Sequence, residues 1–405
     1  MSILPPSSIL HKGSPQADEK PTLFCFSHLR WDFVFQRPQH LLTRAAKTFD
    51  VIFFEEPIFE ETCRAHLNVH DTKEGVTVVT PKLPRGLCAS EVVMTQRRLL
   101  NMLIASRPTK PTIAWYYTPM ALQFTAHLDF DCVVYDCMDE LSNFKNAPVY
   151  LRELEAELFL QADIVFTGGN ALFEAKRQKH QNIHAFPSSI DRGHFAKARS
   201  TSGISDPPDQ KGIAHPRVGF FGVIDERINM DLLAEVARKC PNYQFVILGP
   251  VVKIDSATLP TASNIHWLGQ KDYSELPHYM AHWDAGFMPF AINDATRFIS
   301  PTKTPEFLAA GIPVVSTPIE DVVKSWAKPG LVSIAANATQ MSAEIDRALR
   351  VDQSLWMKRV DLALASMSWD QTFAAMVALI YRQLPSSKST INLVSSIPTR
   401  GDAHV

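Results

Sequence analysis

The stretch SPTKTPEFLAAGIPVVSTP, Ser300–Pro318, reads loop, helix, glycine, strand. Thr304 is a good helix cap and Pro305 a good first helical residue. Gly311 sits where a helix stops, and Pro313 keeps it stopped. The spacing therefore predicts a helix of about two turns that runs directly into a buried strand. A helix start in this setting carries partial positive charge and suits an anion. Lys303 adds a full charge there. Glu306, one turn in, offers only acceptors, and its two oxygens suit a vicinal diol such as a ribose. Read from spacing alone, the same two residues also fit a solvated lysine and a carboxylate that complements the helix dipole.

Working outward, the same alternation recurs twice. TLFCFSH, DVIFFEE, GVTVVTP, PTIAWYY, CVVYD and ADIVFTG read as strands of the first half. RVGFFG, YQFVILG, NIHWLG, DAGFMPF, IPVVST and LVSIA read as strands of the second. Amphipathic stretches separate them, as in parallel βαβ units. The strands are apolar on both faces, which a sheet covered on both sides requires. Residues 191–216 are rich in Ser, Gly, Pro and charge and read as a linker. The expected plan is α/β: a loose tail over 1–20, a Rossmann-like domain over 21–190, a second over 217–384 with closing helices, and a loose tail over 385–405. Two such domains face each other across one cleft, with ligands beyond the C-terminal strand ends.

Composition narrows the function classes. The 405 residues are 46% apolar and 20% charged, with 40 basic and 42 acidic residues. This is an ordinary soluble balance, and it gives no global electrostatic case for nucleic acid. The six scattered cysteines form no CxxC and read as reduced thiols in a cytoplasmic setting. No leader-like segment and no run of 18 apolar residues is evident. GxGxxG, GxxxxGK[ST], GxSxG and HExxH are absent, and no metal site is expected.

The motifs and their order resemble GT-B glycosyltransferases of the broad family 4-like group (glycosyl transferases group 1). RVGFFGVIDERINMDLL, FVILGP and NIHWLGQKDYSELPHYMAHWDAGFMPF are similar to the opening strands of that family's nucleotide-binding domain. SPTKTPEFLAAGIPVVSTP resembles its donor-site passage, and FPSSIDRGHF the segment that closes the N-terminal domain. FSHLRWDFVFQRPQHLL resembles a subgroup with a WDxVxQRPQxL motif, found among bacterial surface-polysaccharide enzymes. VVYDCMDELSNF and VFTGGNALFEAKR fit that subgroup too. The resemblance covers about residues 20–380.

It implies a transferase that uses a nucleotide-diphosphate sugar, a UDP- or GDP-sugar, and no other cofactor. Glu306 would bind the ribose, and Lys303 the diphosphate, with Thr302 and Thr304 as donors beside it. Arg227 would balance phosphate charge. Phe298 stands where many of these enzymes carry a sugar-binding Glu, so Asp294, Thr296 or Arg297 would take that contact. On the acceptor side, Arg37 would face the diphosphate across the cleft, or be solvated. Trp31 and Asp32 would shape acceptor binding, Trp31 alternatively as a packing anchor. Asp136 or, preferably, Asp139 would take the acceptor's proton, Asp139 alternatively as a helix cap. Gly168 and Gly169 would let the backbone approach a ligand, or simply form a tight turn. The acceptor would be a saccharide or a lipid-linked molecule. EVVMTQRRLLNMLIASRPTK, amphipathic and basic, would touch the inner membrane surface, or cover the core with a basic outer face. Two rivals share the fold: a sugar-nucleotide epimerase or hydrolase, and a non-catalytic nucleotide-sugar-binding protein.

Overall fold

The computed structural model describes residues 20–61, 64–107 and 110–384. The two tails expected over 1–20 and 385–405 lie outside them, save Lys20. The first half builds β1 Thr22–Ser27, β2 Asp50–Glu55, β3 Ile58–Glu60, β4 His66–Asp71, β5 Val76–Pro84, β6 Thr112–Tyr116, β7 Cys132–Cys137, β8 Ile164–Thr167 and β9 Ile183–Ala185. The second half builds β10 Arg217–Phe221, β11 Gln244–Leu248, β12 Ile265–Trp267, β13 Ala285–Met288, β14 Val314–Ser316 and β15 Ser333–Ile334.

The first sheet runs β3-β5-β2-β1-β6-β7-β8-β9, with β4 paired to β5, and the second runs β12-β11-β10-β13-β14-β15. Every pairing is parallel except β4 with β5. In both sheets the order reverses beside the first strand, which opens a crevice at the C-terminal ends of β1 and β10.

Alternation along β1 shows why the first sheet needs cover on both faces. Leu23 and Cys25 enter one apolar cluster, while Phe24 and Phe26 enter the other. The second sheet and its helices share a single cluster.

Two boundaries differ from the sequence expectation. The linker composition over 191–216 belongs to a docked segment. Ile190, Phe195 and Ala198 are buried in the C-terminal core. Gln210 is fully buried, donating to the Tyr279 carbonyl and accepting from the Trp283 indole at 2.8 Å. Its polar residues find partners on the domain surface, which composition does not reveal.

The closing helices also divide. The stretch is apolar enough over Gln353–Tyr381 to match a membrane-crossing helix by length and composition. It breaks into Gln353–Leu364 and Trp369–Tyr381, the latter capped by the Ser368 hydroxyl. Trp369, Phe373, Met376 and Ile380 form one helical stripe. That stripe packs into the core of the N-terminal sheet, so the chain's last described helix crosses back to the first domain.

Candidate functional site

The helix that opened the sequence reading spans Lys303–Ala310. It starts two residues earlier than expected: Thr302 sits at the cap position, and Pro305 is the third helical residue. Proline fits there because the first four helical N–H groups have no partner within the helix in any case. Gly311 ends it in a left-handed conformation (φ 79°), as the sequence suggests.

The helix points its start into a cavity of about 260 Å³ between the domains. Thr302, Lys303, Glu306, Gly222 and Gly249 line one wall, and Val34 and Phe35 of the N-terminal domain line the other. Gly222 is what admits Lys303. Its φ is +132°, and a Cβ there would lie 2.0 Å from the Lys303 Cε. Gly249 packs on Gly222 in turn: a Cβ on it would stand 1.8 Å from the Gly222 carbonyl oxygen. Each glycine is demanded by both conformation and space.

The electrostatics of this corner are tense. Glu306 is only 6% exposed, and burial pushes its carboxyl up to about 7 against the downward pull of Lys303. Burial also holds the Lys303 ammonium below its usual value, partly offset by Glu306 and reinforced by Arg227. Its Nζ lies 5.9 Å from the centre of the Phe221 ring. A half-buried cation thus stands beside a buried carboxyl that is only partly ionised near pH 7.

Arg227 lies across the adjoining cavity of about 110 Å³, which Lys303, Thr302, Asp139 and Gly168 also line. Asp225 grips it through Nε and Nη2 at 2.8–3.1 Å. Asp225 escaped the sequence reading, although its spacing two residues before Arg227 was a usable signal. Asp139, just past β7, faces a third cavity of about 440 Å³ together with Arg227, His28 and Lys253. Burial pushes the Asp139 carboxyl up to about 6, with Arg227 pulling down and Asp225 pushing up. Burial and then Lys253 lower His28 to about 4, so its imidazole is neutral near pH 7.

Other expected residues have different duties. Thr304 is fully buried, and its hydroxyl lies 3.8 Å from the Met288 sulfur, away from the cavity. Arg37 and Asp136 form a buried pair with contacts of 2.8–3.2 Å, and Arg37 also donates to the Phe186 carbonyl. With Asp136 fully buried in this pair, Asp139 remains as the carboxylate past β7 that lines the cavities. Trp31 packs on Phe53 with ring centres 5.1 Å apart and is the anchor its alternative reading foresaw, although its edge lines the first cavity. Asp32 is exposed at that cavity's rim, 3.4 Å from His70.

Gly168 and Gly169 serve close packing. A Cβ on Gly168 would meet the Met138 carbonyl oxygen at 2.5 Å. One on Gly169 would meet the Asp321 carboxylate at 2.5 Å. Asp321, from the C-terminal domain, accepts from the Asn170 and Ala171 N–H groups at 2.9 and 2.8 Å and so caps a helix of the other domain. Phe298 has a similar role, packing against the N-terminal apolar cluster of Phe24 and Phe26. Arg297 is exposed, stacked on Phe298 at 5.1 Å, and Asp294 is exposed too. Thr296 turns its hydroxyl into its own loop. None of the three lines the cavities described.

Similarity to known proteins bears on this geometry. Residues 215–350 match the family model for glycosyl transferases group 1. Sucrose-phosphate synthase from Thermosynechococcus elongatus superposes with a TM-score of 0.68 at 14% identity, over 90% of this chain and 99% of that one. The fold is GT-B, and its second half is similar to the glycosyl transferases group 1 domain. Other GT-B structures agree. An E. coli trehalose-6-phosphate structure bound with UDP-2-fluoro glucose gives 0.63 at 12% identity, over 88% of this chain and 98% of that one. Starch synthase IV from Arabidopsis thaliana, bound to ADP and acarbose, gives 0.61 at 12%, over 90% and 100%. Among curated proteins, a Bacillus subtilis protein described as a teichuronic acid biosynthesis glycosyltransferase is 26% identical over 228 residues. That match takes in 52% of this chain, and the chain spans about half (56%) of that relative's length.

Proposed function

We propose that this protein moves a sugar from a nucleotide-diphosphate sugar to an acceptor hydroxyl, in bacterial surface-polysaccharide or glycoconjugate synthesis. The observation that carries the reading is the pairing of the half-buried Lys303 with the buried Glu306, one helical turn apart, in a cavity shared by both domains. A ribose diol would take the Glu306 oxygens, and a diphosphate would restore to Lys303 the counter-charge that burial removes. The Bacillus relative supports the polysaccharide setting.

The proposed chemistry uses the residues around the three cavities. The bond from the sugar's anomeric carbon to the diphosphate oxygen breaks, and its electron pair leaves with the diphosphate. Lys303, Arg227 and the helix start stabilise that charge. The acceptor oxygen bonds to the anomeric carbon and gives its proton to Asp139. Asp139 must be ionised to do so. Turnover is expected to rise with pH through about 6, and Asp139→Asn should abolish that limb while leaving donor binding intact. If the limb persists in Asp139→Asn, another group is the base.

Calorimetry with UDP, GDP and ADP tests the donor site. One nucleotide is expected to bind, and Glu306→Ala to weaken it about 10- to 100-fold, as for a buried charged hydrogen bond. Unchanged affinity would remove the ribose role. Sugar-nucleotide breakdown that needs no acceptor would favour the epimerase or hydrolase reading.

A lipid-linked acceptor and peripheral membrane contact belong to the same proposal. The Ala89–Ala105 helix exposes Arg97, Arg98, Met94 and Met102 together, a mixture that suits an anionic lipid surface. Flotation with anionic vesicles, lost in an Arg97→Glu/Arg98→Glu variant, is the corresponding readout. Absence of flotation by the wild-type chain overturns the contact.

A further inference from the structure

A further cavity of about 350 Å³ lies in the N-terminal domain, beneath the Ala89–Ala105 helix. Phe26 and Phe54, at the C-terminal ends of β1 and β2, line its floor. Val92, Val93 and Phe124 line its sides. Phe59 and Tyr150 also line it, and both keep large exposed areas, 43% and 46%. Protein interiors are close-packed, so a void of this size with largely apolar walls and a few polar groups among them, such as Gln96 and Gln123, is a binding space rather than a packing defect.

Its position gives it meaning. Glu56, Thr118 and Met120 line both this cavity and the one that holds Asp139, so the two spaces adjoin through a shared wall. The Asp139 side carries the ionisable groups Asp139, Arg227, His28 and Lys253. The far side carries mainly phenylalanine and valine; of the polar residues in its lining, Glu55 is already taken up by Arg30, the Trp31 N–H and Thr80. Polarity thus changes along one path, from the reacting position to the surface beside the basic helix.

We propose that the second cavity receives an apolar chain of the acceptor, so that the acceptor is an amphiphile. Its hydroxyl-bearing head would stand at Asp139, and its hydrocarbon tail would lie between Val92, Val93, Phe26 and Phe54. This rests on the transferase reading only for the identity of the head. The tail site stands on the cavity itself.

The test uses methyl, hexyl and octyl β-glucosides as probes, below their micelle concentrations, in calorimetry on the full chain. Affinity is expected to rise two- to fourfold per methylene from hexyl to octyl, as for hydrocarbon leaving water. Val93→Trp and, separately, Val92→Trp fill the cavity from a helix surface and should flatten that dependence. Thermal melting of each variant checks that it is folded. Equal affinity for all three probes, or a chain-length dependence that survives in both folded variants, overturns the proposal. Nucleotide titrations on the same wild-type preparation separate the two ideas. Nucleotide binding without chain-length dependence sinks the tail site alone, and chain-length dependence without nucleotide binding sinks the donor site alone.

Discussion

Replacing Lys303 with alanine is expected to lower turnover about 10²- to 10³-fold, the usual scale for removing one preorganised charge from a leaving group. The protein should at the same time become more heat-stable. The half-buried ammonium lies over Phe221 and against Gly222, and partial desolvation already holds its proton less tightly than usual. Alanine removes that poorly solvated cation, and Gly222 tolerates the loss because the change only frees space. Glu306 then loses its nearby cation and should titrate still higher than about 7. The sign for stability follows from that shift. A buried carboxyl raised above its unfolded value of 4.5 stabilises the fold at low pH, and that contribution fades as pH rises from there through about 7. The stability gain from Lys303→Ala should therefore be larger at pH 5 than at pH 8. Steady-state assays and melting curves at the two pH values read both effects. Turnover within threefold of wild type would mean that Lys303 does not hold the leaving group.

Arg37→Leu should cost about 3–5 kcal/mol, because it leaves the Asp136 carboxylate buried without its cation. Asp136 is fully buried, and three of the contacts it receives come from this one guanidinium. The Phe186 carbonyl loses its donor as well. Against a typical domain stability of about 5–15 kcal/mol, this places the variant near the edge of folding. A melting-point drop of about 6–20 °C is expected. Adding Asp136→Leu should recover much of it, since apolar replacement of both partners removes the uncompensated charge. Urea titration of the single and double variants measures this directly. If the double variant is less stable than Arg37→Leu, the cost lies in packing rather than charge.

The strands of both sheets, and the helix carrying Lys303 and Glu306, were legible because their signals are local. A buried parallel strand is an apolar run, and a helix ends at a glycine. What the sequence hid was pairing over distance. Arg37 and Asp136 stand 99 residues apart, and Asp321 caps a helix about 150 residues away. Nothing near either residue marks its partner. Arg37 does line the smallest of the three cavities, but its pairing with Asp136 was not legible, and Asp136 therefore passed for a possible base. Phe298 was legible as a departure from the family pattern but not as an interdomain contact. Residues 191–216 misled for a different reason: composition reports polarity, and polarity does not distinguish a free linker from one docked through residues such as Phe195 and Gln210.

The return of the Trp369–Tyr381 helix to the first domain makes that domain discontinuous in the chain. A ribosome making this protein releases the nine described N-terminal strands long before it releases the stripe of Trp369, Phe373, Met376 and Ile380, which shares the cover of one of their faces with Leu41, Leu42 and Ala45. The early domain therefore waits with an apolar face open while the second domain is synthesised, and it closes only when the last helix emerges. The same wiring makes the helix a fastening. Any rotation that opens the cleft must carry the short segment from Leu364 to Trp369 with it.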